Sequence, residues 1–297
     1  MVASIHNTLP LNAQRFGIAG VQMQVSILEE NITSMAHYVA HIKQRFPWVS
    51  MVLFSELAPF GPSIAQAQPL PGEAEARLAA IARENRVWLI PGSLFESRDG
   101  AVFNTTPIIN PDGVVIDRFS KLFPFHPYEK GVTAGNRFVV FDVPDVGRFG
   151  VSNCYDMWFP ETTRQLMAMG AEVILHPTMT DTIDREAELA IVRASAITNQ
   201  VYFFDINGVG GGGVGRSIVV DPSGYVLHQA GSGAEIIPIE VDLARLRYER
   251  ENGARGLGQQ LKSFRDRGCD FEVYRDRLAP GDLLRSLGPL RKPGDPL

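Results

Sequence analysis

The hydrophobic pattern of the chain switches repeatedly between the period of a strand and the period of a helix. Residues 16–25 form an apolar run of strand length. Leu28, Ile32, Met35, Val39, Ile42 and Phe46 then recur at three- and four-residue steps, the apolar face of an amphipathic helix. The run 48–54 predicts a strand that stops at Ser55-Glu56, followed by a helix over 73–85 and a strand over 87–95. Residues 102–110 and 114–119 flank Pro111-Asp112-Gly113, and 216–220 and 225–229 flank Asp221-Pro222-Ser223-Gly224. Both arrangements read as hairpins. Strands 137–143 and 148–153 pair across residues 144–147. A helix from Pro160, strand 171–176, helix 184–199, strand 201–207, strand 235–241 and a charged helix from Leu243 complete the series. Such mixing of alternation and hairpins predicts a mixed sheet covered by helices, a layered α/β (α+β) fold.

The texture changes near Glu251. Residues 251–297 are rich in Arg, Gly, Asp and Pro and show few regular apolar faces. The chain therefore divides into a body over 1–250 and a C-terminal extension over 251–297. The extension either wraps the body or a partner subunit, or is a loosely ordered tail.

Composition narrows the class. With 297 residues, 45% hydrophobic and 21% charged, the chain can bury a large core. A net charge of −5 leaves no footprint for nucleic acid or an anionic membrane surface. No apolar run reaches 18 residues and residues 1–15 do not resemble a signal peptide, so neither a membrane span nor export is expected. The two cysteines, Cys154 and Cys269, make no disulfide framework, which suits a reducing, cytoplasmic location. Cys269 reads as structural or incidental.

Several local motifs carry no function. Gly208-Val-Gly-Gly-Gly-Gly213 matches a dinucleotide fingerprint formally, but a strand rather than a helix follows it. It reads as a flexible loop or a close backbone approach. His37 and His41 lie four apart on a helix whose inner face is already defined by Met, Val and Ile, so no metal site is expected.

Other residues stand where chemistry is done. Cys154 lies between an apolar strand and a helix opening with Pro160-Glu161. Alone it reads as a core cysteine. On a strand-to-helix bend it reads as a nucleophile whose pKa is lowered by helical N–H groups. Glu56 directly follows an apolar strand, where ligand sites form in such sheets, or is an exposed loop acid. Lys121, in Ser-Lys-Leu-Phe-Pro-Phe, is either snorkelling or held in a pocket. Glu129 alone reads as a surface turn. Asp181 and Asp184 read as helix caps or as entrance residues, with capping preferred.

Taken in order, Glu56, Lys121 before Leu-Phe-Pro, and Cys154 before Tyr-Asp and Phe-Pro-Glu resemble the Glu-Lys-Cys triad of the nitrilase superfamily of carbon–nitrogen hydrolases. Gly17-Ile18-Ala19-Gly20-Val21-Gln22, the run Arg193 to Asn199, Gly215-Arg216-Ser217 and the Asp-Pro-Ser-Gly turn fit as well. The resemblance covers roughly residues 15–245. It implies a four-layer α-β-β-α sandwich, a thioester on Cys154, Glu56 as general base, and Lys121 with the Tyr155 backbone N–H as the oxyanion site. It also implies Glu129 as a positioning glutamate, no cofactor and no metal. A homodimer or higher homo-oligomer is expected, with the helices after the nucleophile at its interface.

Within the superfamily, Cys-Tyr-Asp is similar to the amidase side, whereas nitrilases usually carry Trp-Glu after the cysteine. Omega-amidase-like members typically place an arginine where this chain has Trp158. An indole cannot pair with a carboxylate. The residues therefore point to a small or medium uncharged amide contacted by Tyr155, Trp158 and Phe125, with water as the second substrate. Nitrile or N-carbamoyl hydrolysis, or a non-catalytic member of the fold, are the other readings. Loops 57–70, 122–136 and 178–186 are expected to set specificity.

Overall fold

The computed structural model describes residues 15–275, 282–287, 289, 290 and 292. Strands β1 (Arg15–Gln22) and β2 (Gln24–Val25) precede helix α1 (Ile32–Arg45), β3 (Val49–Phe54) and α2 (Glu73–Asn85). Then come β4 (Trp88–Ile90), β5 (Leu94–Arg98), β6 (Ala101–Ile109), β7 (Val115–Ser120), β8 (Val132–Thr133), β9 (Val139–Val143) and β10 (Gly147–Val151). Helix α3 (Pro160–Ala168), β11 (Val173–Thr178), α4 (Asp184–Asn199) and β12 (Tyr202–Asn207) follow. The body closes with β13 (Val209–Gly210), β14 (Gly213–Val214), β15 (Ile218–Val220), β16 (Val226–Gln229), β17 (Glu235–Asp242) and α5 (Leu243–Asn252), after which α6 spans Gln260–Arg267.

Two large sheets result. One runs β17-β1-β3-β4-β6-β5, with β7 and β8 also paired to β6. The other runs β16-β15-β12-β11-β10-β9. A small third sheet, β14-β13-β2, contains the glycine-rich segment, which is a short hairpin rather than a flexible loop.

The period of two sorts each strand's side chains between faces. From β1 and β3, Phe16, Ile18, Met51 and Leu53 enter a core shared with Phe149, Leu175, Tyr202 and Phe204 of the other sheet. Their neighbours Ala19, Val21, Val52 and Phe54 pack instead with Met35, Val39 and Ile42 of α1 and Leu78 of α2. In the second sheet Phe203 turns away to meet Leu166 of α3 and Val192 and Ala196 of α4. Three apolar layers separated by two sheets make the four-layer α-β-β-α sandwich. Each fully buried large side chain contributes about 1.5–3 kcal/mol. The sheets approach closely at Gly20, where an added Cβ would lie 2.3 Å from Ile206 Cδ1.

Three strands depart from the pattern, the first being the run expected over 16–25, which is two strands in different sheets, β1 and β2. The strand expected over 87–95 is two, β4 and β5, broken at Pro91-Gly92-Ser93. Gly92 has a φ of +75°, and a Cβ there would sit 1.7 Å from the Ser55 carbonyl oxygen. The break lets the chain press against the end of β3, and Ser93 Oγ accepts a hydrogen bond from Leu57 N at 3.1 Å. Likewise β10 ends at Val151, and a one-turn 3-10 helix, Cys154–Trp158, stands between it and α3.

Beyond α5 the described chain lies along the second helical layer. Gln260 Nε2 donates to Ile197 O of α4, and the Tyr274 hydroxyl to Glu161 of α3. No helix among the described residues is long and apolar enough to cross a membrane.

Candidate active site

Glu56, Lys121 and Cys154 each follow the end of a strand, β3, β7 and β10 respectively. The backbone ties these ends together across the sheets: Glu56 N donates to Thr178 O at the end of β11, at 3.2 Å. Lys121 N donates to Asn104 O of β6 at 2.8 Å.

Lys121 is the electrostatic centre. Its Nζ lies 2.9 Å from Glu56 Oε1 and 2.8 Å from Glu129 Oε2. Phe125 N also donates to Glu129, fixing the carboxylate that holds the ammonium. Asn104 joins both acids through Nδ2, at 2.8 Å to Glu56 and 3.3 Å to Glu129, and its Oδ1 accepts from Asn153 Nδ2 at 3.1 Å. Burial disfavours a charge on Lys121, but Glu56, the Cys154 sulfur and Glu129 outweigh it and hold its pKa well above the usual lysine range. Burial pushes Glu56 up; the Lys121 charge opposes this, while Glu129 adds to it.

Cys154 is buried beside Glu56. Its Sγ also lies 3.9 Å from Met179 O and 4.0 Å from Thr180 Oγ1. The structure corrects the expectation of a lowered thiol pKa. Burial pushes the thiol well up, the Glu56 charge pushes it further, and Lys121 compensates only in part. The physical reason is that the 3-10 turn separates Cys154 from the N-terminus of α3, so desolvation dominates. The resting cysteine is a neutral thiol beside a carboxylate with raised proton affinity.

The Cys154 backbone has a φ of +47°, in the left-handed region, which costs a non-glycine residue on the order of 1 kcal/mol or more. Its surroundings hold it there. His176, buried within β11, places Nε2 3.2 Å from Cys154 O and Nδ1 2.7 Å from Ser152 Oγ. Burial pushes His176 down to about 4, so the neutral ring donates from Nε2 and accepts at Nδ1. Asp156, whose carboxyl burial pushes up to about 7, accepts from Asn153 N at 2.9 Å and Phe123 N at 2.8 Å. Asn207, at the end of β12, brackets Thr180 by accepting from its N–H and donating to its carbonyl.

A cavity of about 590 Å³ opens onto Cys154 and Glu129. Phe125, Tyr155 and Trp158 line it, as does Tyr128. The Phe125 ring centroid is 4.8 Å from that of Tyr155 and 4.9 Å from that of Tyr128. Much of the remaining wall comes from the three loops expected to set specificity, with Leu57 and Ile64, Lys130 and Val132, and Met179, Thr180, Asp181, Thr182 and Asp184 among its residues, while Phe95, Glu188 and Gly212 come from outside them. Asp181 and Asp184 both line the cavity, and neither caps α4: the cap position is Ile183, without a side-chain hydrogen bond. Cys269 is exposed and outside the cavity. Among the described residues no three His, Cys, Asp or Glu side chains form a metal-holding group.

Sequence reasoning did not find Asn104, His176, Asp156 or Asn207. Their signal was present. Asn104-Thr105-Thr106 interrupts an otherwise apolar strand, and His176 and Asn207 stand on strands whose other residues are nearly all apolar. A buried polar group on such a strand requires a partner.

The family model for carbon–nitrogen hydrolases matches residues 17–250. The human omega-amidase NIT2 is 27% identical over 274 residues, covering 86% of this chain and 96% of that protein. Among solved structures, Nit3 of Saccharomyces cerevisiae, from the nitrilase superfamily, is 27% identical with a TM-score of 0.74, covering 80% of this chain and 94% of that one. A carbon–nitrogen hydrolase from Helicobacter pylori is 25% identical with a TM-score of 0.75, covering 89% of this chain and 99% of that one. With its sandwich and the matched span taken together, the chain belongs to the carbon–nitrogen hydrolase family.

Proposed function

We propose that the protein hydrolyses a small or medium amide lacking a carboxylate, giving a carboxylic acid and ammonia through a thioester on Cys154. The observation that carries this reading is the ladder from half-buried Glu129 through buried Lys121 and Glu56 to the Cys154 thiol. A buried thiolate standing alone would be costly. Proton transfer to Glu56 is therefore concerted with attack of Sγ on the amide carbon. The proton moves on to the leaving nitrogen, ammonia departs, and Glu56 then takes a proton from water as it opens the thioester. Lys121, held charged by its acids, faces the developing negative oxygen together with the Tyr155 backbone N–H. Glu129 positions Lys121.

The amidase side of the family is supported by the Cys-Tyr-Asp run and by the relatives named as amidases. The absence of a carboxylate from the substrate is supported by Trp158, which lines the cavity and offers no cation. A cytoplasmic homo-oligomer belongs to the same reading. Both cysteines are free, and Ile183, at the start of α4, is almost fully exposed.

Ammonia release measured across paired amides, nitriles and N-carbamoyl compounds tests the function. Amides are expected to be the preferred class. Cys154→Ala is expected to reduce release by about ten-thousandfold or more. Activity retained in that variant would overturn the assignment.

A further inference from the structure

The groups assigned to amide cleavage leave one part of the cavity wall without a role. Within 180–188, Thr180, Thr182 and three acids, Asp181, Asp184 and Glu188, line the same cavity as Cys154, while Lys130 is the base that lines it among the described residues. Asp184 and Glu188 stand one turn apart on α4, so they share a face, and Asp181 precedes the helix by one turn's spacing.

Stability of the helix explains them only in part: Asp184, in the first turn of α4, suits the positive end of the helix dipole, but Asp181 lies outside the helix. Asp184 N donates to Thr182 Oγ1, and the Asp184 carboxylate accepts from the same hydroxyl. Neither aspartate caps α4 or meets a basic side chain among the described residues. Glu188 is buried, accepts from Thr180 Oγ1 at 3.0 Å, and pairs with Arg185 at 3.0 Å. Arg185 is shared with Asp205 at 2.6 Å. Two carboxylates thus divide one guanidinium behind this wall, and burial and the Asp205 charge push Glu188 up, so the two rim aspartates carry the wall's unpaired acid one helical turn from it.

The aromatic rim fits the same ligand chemistry. Tyr128, Phe125, Tyr155 and Trp158 line the cavity, with Phe125 stacked on Tyr128, and free aromatic faces attract cations. The chain itself demonstrates the contact: the Lys292 ammonium lies 5.1 Å from the centroid of the Tyr128 ring.

We propose that Asp181, Asp184 and Glu188, with the aromatic rim, select an amide whose end remote from the carbonyl carries a protonated amine. The proposal rests on the amidase reading and deepens it from an amide without a carboxylate to an aminoalkyl amide. The remote ammonium takes no part in bond making. A terminal carboxylate in the same place meets two unneutralised aspartates, so dicarboxylate monoamides are excluded by repulsion.

Three amides of matched length test this on the full-length protein: δ-aminovaleramide, hexanamide and glutaramate. The expected order of kcat/KM is cationic, neutral, anionic, with the first exceeding the second by about tenfold. In the Asp181→Asn, Asp184→Asn double variant, the ratio of cationic to neutral kcat/KM is expected to fall towards unity. Both positions lie at the cavity rim, and an unchanged melting temperature confirms that the variant is folded. A wild-type preference for hexanamide or glutaramate overturns the proposal. So does a cationic preference that survives the double substitution, or a uniform change on all three amides, which would leave the acids without a part in substrate choice. Failure of the wild type to release ammonia from any of the three removes the amidase reading itself, a result distinct from equal use of the cationic and neutral amides.

Discussion

The two sheets bring unlike chemistry to one cavity. The eight-stranded sheet supplies Glu56, Asn104 and Lys121, an acid–amide–cation cluster completed by Glu129 from the loop after β7. The six-stranded sheet supplies Cys154 and, behind it, His176, Thr180 and Asn207, neutral groups that hold the backbone in place. One side is electrostatically tuned and the other conformationally strained. The comparison teaches that neither sheet holds the whole cluster: Cys154 comes beside Glu56 only where the sheets dock, and they pack closely at Gly20.

Breaking the charged side gives the largest effects. Glu56→Gln removes the proton acceptor while keeping the shape, and kcat is expected to fall by about a hundred- to ten-thousandfold. Stopped assays of thioester formation and ammonia release read this directly. Lys121→Met leaves the buried Glu56 and the half-buried Glu129 without their cation, and urea denaturation is expected to show a loss of about 3–5 kcal/mol. An unchanged midpoint would show that the cluster is not the buried ion ladder described here.

The pH profile sharpens the same side. Glu56 must be ionised to accept the thiol proton, and burial raises its pKa above the ordinary carboxylate value. The acid limb of kcat/KM is therefore expected above the usual glutamate range, with activity lost as pH falls through it. A limb at the ordinary value would count against Glu56 as the base.

Breaking the neutral side costs less. His176 is held neutral, with its pKa lowered from 6.5 to about 4. A base whose folded pKa is lowered contributes stability that is present above its unfolded value and lost as pH falls towards the folded one. Between about pH 6.5 and 4, stability is expected to decline by up to about 3 kcal/mol. His176→Phe should abolish that dependence and cost about 2 kcal/mol at neutral pH through the lost bonds to Cys154 and Ser152. The smallest effect belongs to the contact between the sheets. Gly20→Ala pushes on the flexible end of Ile206, and calorimetry is expected to show about 1–2 kcal/mol of destabilisation.

Much of this organisation was legible along the chain. The period-two runs of β1, β3, β11 and β12 and the face of α1 sort residues into layers because burial is decided locally by alternation. Strand ends also marked Glu56, Lys121 and Cys154. What stayed hidden depended on approach between distant segments. The break at Gly92 exists because the Ser55 carbonyl occupies the space of a side chain. Asn104 reads as an odd polar residue in a strand until Glu56 and Glu129 arrive beside it. Asp181 and Asp184 read as caps because sequence places them before a helix; their exposure to the cavity depends on how α4 packs.

By itself the sequence determined the layered architecture and the order of its elements, since these follow from periodicity, and through its resemblance to a family it named the candidate reacting groups. Only the tertiary structure decided the protonation of Cys154. Its position on a bend suggested a low pKa, but desolvation between two docked sheets raised it. The sequence names the charges near a group; only the fold sets how much water is removed from around them.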